Sequence, residues 1–205
     1  MIRISVRHDF DKLSRTLDAF SRKQMPFATA RALTATAREA GSEFTRSMPE
    51  TLDRPTPFTM RAVGITAARK NSLRSVVFIK DRQAEYLGYQ EKGGHRGPKR
   101  RALVMPAGMR LNRYGNMPNR AVAKAIGRPD VFVGEVNGIG GIWQRPKAGG
   151  RQGAKKGPKL LATFRPGATY KPRLGFEDRV MASVRQQFPR HMQAALHEAL
   201  KTARR

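Results

Sequence analysis

The chemistry open to this sequence rests on few residues: four histidines, a Pro-Asp segment followed by a glutamate, one glycine-rich turn and two runs of Lys and Arg. The histidines are His8, His95, His191 and His197. His191 and His197 stand six apart on one expected helix, which turns them to different faces. His197-Glu198 lacks the second histidine of a helical zinc motif, so the histidines read as surface residues. In GRPDVFVGEVN, residues 127–137, Asp130 and Glu135 invite comparison with nucleases that hold magnesium through a Pro-Asp and a Glu-x-Lys on adjacent strands. Here the carboxylates are five apart and Asn137 stands where the lysine would be, so they read as strand edges. NGIGG, residues 137–141, lacks the Gly-Lys-Ser/Thr of a phosphate loop and reads as a turn. The absence of cysteine excludes thiolate catalysis, disulfides and Cys-based zinc. No metal or cofactor is expected, and the chain reads as a non-enzyme.

The basic runs carry more information. YLGYQEKGGHRGPKRRALVMP, from Tyr86 to Pro106, opens after Gly93-Gly94 into Arg96, Lys99, Arg100 and Arg101. Arg110 and Arg113 follow, and RPKAGGRQGAKKGPK, residues 145–159, adds Lys147, Arg151, Lys155 and Lys156 among four glycines and no acid. The net charge of the chain is +26, and it is unevenly placed: residues 92–176 hold 19 basic groups against two acids, Asp130 and Glu135. Charge of that size repels itself unless an anion or a neighbouring subunit lies beside it. Lys and Arg beside flexible glycines make good sequence-independent phosphate contacts, and Arg can hold a phosphate through two donors at once. A solvated face is the plainer reading of a charge run, but such faces usually mix signs. No base-reading helix or RNA-binding aromatic signature accompanies the charge, so whatever is bound is not read for sequence. Tyr86, Tyr89, Tyr114 and Trp143 could stack on bases, but their scatter favours core or interface roles.

Positioning these residues requires a framework, and the hydrophobic periodicity supplies one. Ile2, Ile4 and Val6 alternate with polar residues, predicting a strand at residues 2–7. From Asp9 the period changes, and Phe10, Leu13, Leu17 and Phe20 predict an amphipathic helix. After Pro26 a second, Ala-rich helix presents Phe27, Ala30, Leu33, Ala37, Ala40 and Phe44 on one face as far as Met48-Pro49. Strands are expected over 62–65 and 73–80, then a helix over 82–92 capped by Asp81 and stopped by Gly93-Gly94. Residues 93–129 read as mostly loop, with a short strand at 102–105 and a helix at 119–126. Residues 130–136 and 141–144 pair as a hairpin around Asn137-Gly138, 159–165 form a further strand, and a long helix begins near Gly175. Its stripe is Phe176, Val180, Val184, Phe188, Ala195, Leu196, Ala199 and Leu200.

The order is strand, long helices, a block of short strands, then a terminal helix, which predicts an α+β fold with a short, mostly antiparallel sheet packed with long N-terminal and C-terminal helices. Hydrophobic residues make up 39%, below the usual ~45–50%, and 19 Gly with 13 Pro imply long irregular segments. The expectation is one domain over 1–205 with extended basic arms at 93–129 and 145–158. No apolar stretch has the length of a secretory signal or a membrane span, so no membrane partner is expected.

Taken in order, the Ala-rich PFATARALTATAREAGSEF, the segment AEYLGYQEKGG, the basic Gly-broken centre and the terminal FEDRVMASVRQQFPRHMQAALHEALK resemble the tail completion proteins of long-tailed bacteriophages, the minor tail protein Z-like family. The resemblance implies a structural virion protein, assembled in the host cytoplasm. It would form a ring, expected to be a hexamer, at the head–tail junction or neck, between tail terminator and head-side connector and around the DNA channel. It brings no catalytic residues. The basic arms would then face channel DNA or the adjoining subunit. A freestanding, sequence-independent nucleic-acid-binding protein is the alternative that the charge supports.

Overall fold

The computed structural model describes residues 22, 24–99, 101–146 and 157–203. The expected strand at 2–7, the helix beginning at Asp9 and the basic positions Arg100, Lys147, Arg151, Lys155 and Lys156 lie outside the described residues. In chain order the elements are α1 (Met25–Thr51), α2 (Pro57–Met60), β1 (Val63–Thr66), β2 (Val76–Ile79), α3 (Asp81–Lys92), β3 (Gly94–Arg96) and β4 (Leu103–Pro106). They continue with α4 (Ala121–Ile126), β5 (Val131–Val136), β6 (Ile139–Gln144), β7 (Lys159–Arg165), β8 (Ala168–Tyr170) and α5 (Phe176–Ala203). The fold is α+β, with long helices and short antiparallel sheets. Among the described residues no helix is long and apolar enough to cross a membrane.

Contacts gather into two compact units: the described parts of Met1–Met48, Pro57–Ala84 and Gly175–Arg205, and the segments Pro49–Thr56 and Glu85–Leu174. The first unit is built on α1 and α5. Ala28 and Ala32 of α1 pack against Ala195 and Ala199 of α5, with Phe188, Met192 and Leu196 around them. Small side chains let the helix backbones approach, and the pairing of early with late residues makes the helices antiparallel. The buried stripe of α1 includes Ala30, Ala37, Ala40 and Phe44 as expected, but it also takes in Ala28, Ala32 and Thr36 and leaves Phe27 57% exposed. Thr36 can be buried because its hydroxyl donates to the Ala32 carbonyl at 2.8 Å. Nearer the other end, the rings of Phe44 and Phe176 meet edge to face, with centroids 4.9 Å apart.

Between these apolar contacts lies a polar seam that the apolar stripe of α5 does not reveal. Ser183 and Gln187, both buried, hydrogen-bond to the Glu43 carboxylate, Ser183 through its hydroxyl and Gln187 through its amide at 3.2 Å. One turn further along α5, His191 Nε2 lies 2.6 Å from Glu39 Oε2. His191, expected at the surface, is instead half-buried in this seam. The β1–β2 hairpin lies across α1 at Gly41, where an added Cβ would come within 3.2 Å of both Val63 and Ile65.

The second unit holds a four-stranded antiparallel sheet in the order β4-β7-β6-β5 and a separate two-stranded ribbon of β3 and β8. The β5–β6 hairpin turns at Asn137 and Gly138, whose φ values of 53° and 76° are those of the tight turn this dipeptide favours. Helix α4 covers one side of the sheet, with Ala125 and Val122 against Val131, Ile142, Leu161 and Ala162. The middle strands come so close at Gly141 that a Cβ there would run into the Ala162 carbonyl oxygen, with Leu160 Cδ1 at 2.9 Å.

Two stability outcomes follow from this packing. Glu43→Ala leaves the buried Ser183 and Gln187 without their acceptor and lowers stability by about 1–3 kcal/mol, while Glu43→Gln, which keeps an oxygen, loses less; chemical denaturation measures both. Gly141→Ala forces backbone against backbone in the sheet and costs about 1–3 kcal/mol, read as a lower thermal midpoint.

Candidate nucleic-acid interface

Because Asn137-Gly138 sets the hairpin register, Val131 lies opposite Gln144, and Asp130 falls at the open end of the hairpin. There its carbonyl accepts the Arg145 N–H at 2.7 Å. Its carboxylate accepts a forked pair from Arg128, Nε at 3.0 Å and Nη2 at 2.6 Å, and a third bond from the Gln144 amide at 2.8 Å. These bonds, the one from Arg128 foremost and then that from Gln144, hold the Asp130 carboxyl below its ordinary range. Glu135 pairs with Gly140 near the turn, five residues along a strand that rises ~3.3 Å per residue, so the Cα atoms of the two acids are about 16 Å apart. They do not converge on a shared metal. Among the described residues no cluster of three or more His, Asp or Glu side chains could hold a metal ion.

The basic positions divide by what they touch. Arg96 closes β3, where Gly94 to Arg96 pair with Tyr170 to Ala168, and its guanidinium lies 5.9 Å from the centroid of the Tyr89 ring. That ring packs against Tyr170 at 5.7 Å. The stretch after Gly93 therefore opens as a paired strand. Lys99 Nζ lies 2.8 Å from Glu85 Oε2 on the surface, and this contact is the main reason the Glu85 carboxyl titrates below its ordinary value. Arg113 donates to the Tyr114 hydroxyl at 2.6 Å and lies 4.8 Å over the same ring. It stands in a small closed loop, where Asn112 Oδ1 accepts the Tyr114 and Asn116 N–H groups at 3.0 Å each. Arg101 is exposed. Trp143 is only 6% exposed and cannot offer a face to a base.

Among the described expected contact residues, Arg110 enters a concave site. Just after β4 the N–H groups of Ala107, Gly108 and Met109 all point to the Leu161 carbonyl, at 2.9, 3.0 and 3.2 Å, and this bend delivers Arg110 to a cleft of about 430 Å³. Lys124 of α4, Arg128 and Lys159 at the start of β7 line the same cleft. All four are exposed cations, and no carboxylate lines the cleft. Lys124, Arg128 and Lys159 escape a sequence reading because they come from separate segments. Only Lys159 belongs to a visible basic run, so charge density along the chain gives no sign of the convergence.

Asp130 is anionic at neutral pH, and its contact with Arg128 weakens only as the pH falls below the usual aspartate range, where the carboxyl gains its proton. Gln144→Ala removes one donor, so the Asp130 midpoint in an NMR acid titration moves upward toward the ordinary value; an unmoved midpoint contradicts the assigned cause. Comparison of the chain with protein-family models, with curated proteins and with solved structures found no match.

Proposed function

We propose that this chain is a structural and interaction protein, a tail completion subunit that assembles into a ring at the neck of a long-tailed phage. In this reading it joins the tail terminator to the head-side connector, and its basic residues meet the DNA channel or the adjoining subunit. It catalyses nothing, and its working location is the virion. The observation that carries the reading is the one-signed charge of residues 92–176, 19 basic groups against two acids, one of them held by Arg128. Such a surface calls for a polyanion or a counter-charged neighbour. The resemblance in element order and composition supplies the phage neck as the place where both occur. The second reading, a freestanding sequence-independent nucleic-acid-binding protein, is favoured by the cleft, whose cations need no ring around them.

Mass measurement of the purified chain separates the two. A ring subunit gives hexamers or co-purifies with tail components. A strictly monomeric chain that binds duplex DNA tightly and never enters particles overturns the neck assignment and leaves the second reading.

A further inference from the structure

We infer that the cleft lined by Arg110, Lys124, Arg128 and Lys159 is a phosphate seat that grips the backbone of a nucleic acid. The inference rests on the polyanion reading above and goes beyond it, because it moves the contact from the exposed arms to a built concavity. The four cations reach the cleft from the bend after β4, from α4, from the segment before β5 and from the start of β7. Convergence from four segments is a property of the fold, and like charges gathered without a lining carboxylate favour an anion between them. Among the described residues no hydrogen bond or ion pair engages the side chains of Arg110, Lys124 or Lys159.

The site is also held in shape. Arg128 is forked onto Asp130 by two of its five N–H donors, which leaves three for a ligand. The stem of Lys159 crosses Gly108 so closely that a Cβ there would lie 3.1 Å from its Cε, so a side chain at that position would displace the lysine. Gln144, the other partner of Asp130, lines the cleft as well, and Leu161 gives it an apolar wall. At about 430 Å³ the space exceeds a bare phosphate ion and falls within the ~300–1,000 Å³ of ligand sites, room for a phosphodiester with its sugar. Cations at phosphate oxygens read charge and not base edges, so binding here is independent of sequence.

The test uses the full chain, a fluorescently labelled oligothymidylate and polarisation titrations across a range of salt. The variant Arg110→Gln/Lys124→Gln/Lys159→Gln is compared with Arg69→Gln/Lys70→Gln/Arg74→Gln, which loses the same charge elsewhere. The cleft variant binds at least tenfold more weakly, and its log–log salt slope flattens by about 2, as expected for three lost contacts to a single strand at ~0.7 each. The control variant changes affinity less than threefold. Lys124→Glu alone, at an exposed position of α4, weakens binding in the same direction and serves if the triple variant unfolds. Equal losses in the two triple variants, or none in the cleft variant, overturn the seat while leaving the polyanion reading intact; a wild-type chain that binds no oligonucleotide overturns both. Inorganic pyrophosphate supplies the remaining arm. If it raises the thermal midpoint of the wild type but not of the cleft variant, while oligonucleotide binding falls equally in both triple variants, the seat takes free phosphate and the backbone assignment is overturned.

Discussion

Mutual repulsion of cations is the constraint that the second unit must meet throughout, because its segments supply six acids against 20 Lys and Arg. Three of the acids are placed against a cation: Asp53 meets Arg173 at 3.2 Å, Glu85 meets Lys99 at 2.8 Å, and Asp130 meets Arg128 at 2.6 Å. Arg113 and Arg145 lie over the rings of Tyr114 and Phe132, where the negative face of the aromatic ring takes the place of a carboxylate. Exposed contacts of this kind stabilise little, so they decide where side chains lie more than whether the unit folds. At the cleft Arg128 alone of the four cations has such relief among the described residues, and that separates the cleft from the rest of the charged surface.

Turn chemistry at one end of a hairpin sets the electrostatics at the other. Asn137 and Gly138 accept positive φ, which fixes Val131 opposite Gln144 six residues away along β5. That register brings Gln144 and Asp130 together at the open end, and their hydrogen bond presents the carboxylate edge to which Arg128 is forked. A slip of one residue would turn every side chain of β5 to the opposite face and separate the three groups. The orientation of a cation at the cleft thus descends from two residues that touch no part of it.

Much of this framework was legible in the sequence, since it follows from local pattern. The hairpin around Asn137-Gly138, the strand Lys159–Arg165 and the helix after Gly175 are each announced by residues within a few positions of them. The pairing of β3 with β8 was not, because three-residue strands leave no periodicity and the partners stand more than 70 positions apart. Its visible sign was only Gly93, whose φ of 71° ends α3 as expected. The buried face of α5 was half legible: Val180, Ala195 and Ala199 are buried as expected while Leu200 is 51% exposed, and Ser183, Gln187 and His191 were hidden because a buried polar group is defined by its partner, and the partners lie on α1. For the same reason Arg110 was found and Lys124, Arg128 and Lys159 were not, since convergence in space has no signature along the chain.

The polar seam also explains how two helices held by alanines keep one alignment. An interface of Ala28 and Ala32 against Ala195 and Ala199 is nearly uniform, and sliding one helix past the other by a turn exchanges small residues for small residues. The seam removes that degeneracy. Glu39 and Glu43 are one turn apart on α1, as are Ser183, Gln187 and His191 on α5, so a single alignment matches every member. A slide of one turn that carries His191 from Glu39 to Ala35 would leave its ring without an acceptor, in surroundings where an unmatched polar group costs about 1–3 kcal/mol. Apolar contact brings the helices together without choosing among alignments; the carboxylates of α1 make the choice, as buried polar groups do for helix register elsewhere.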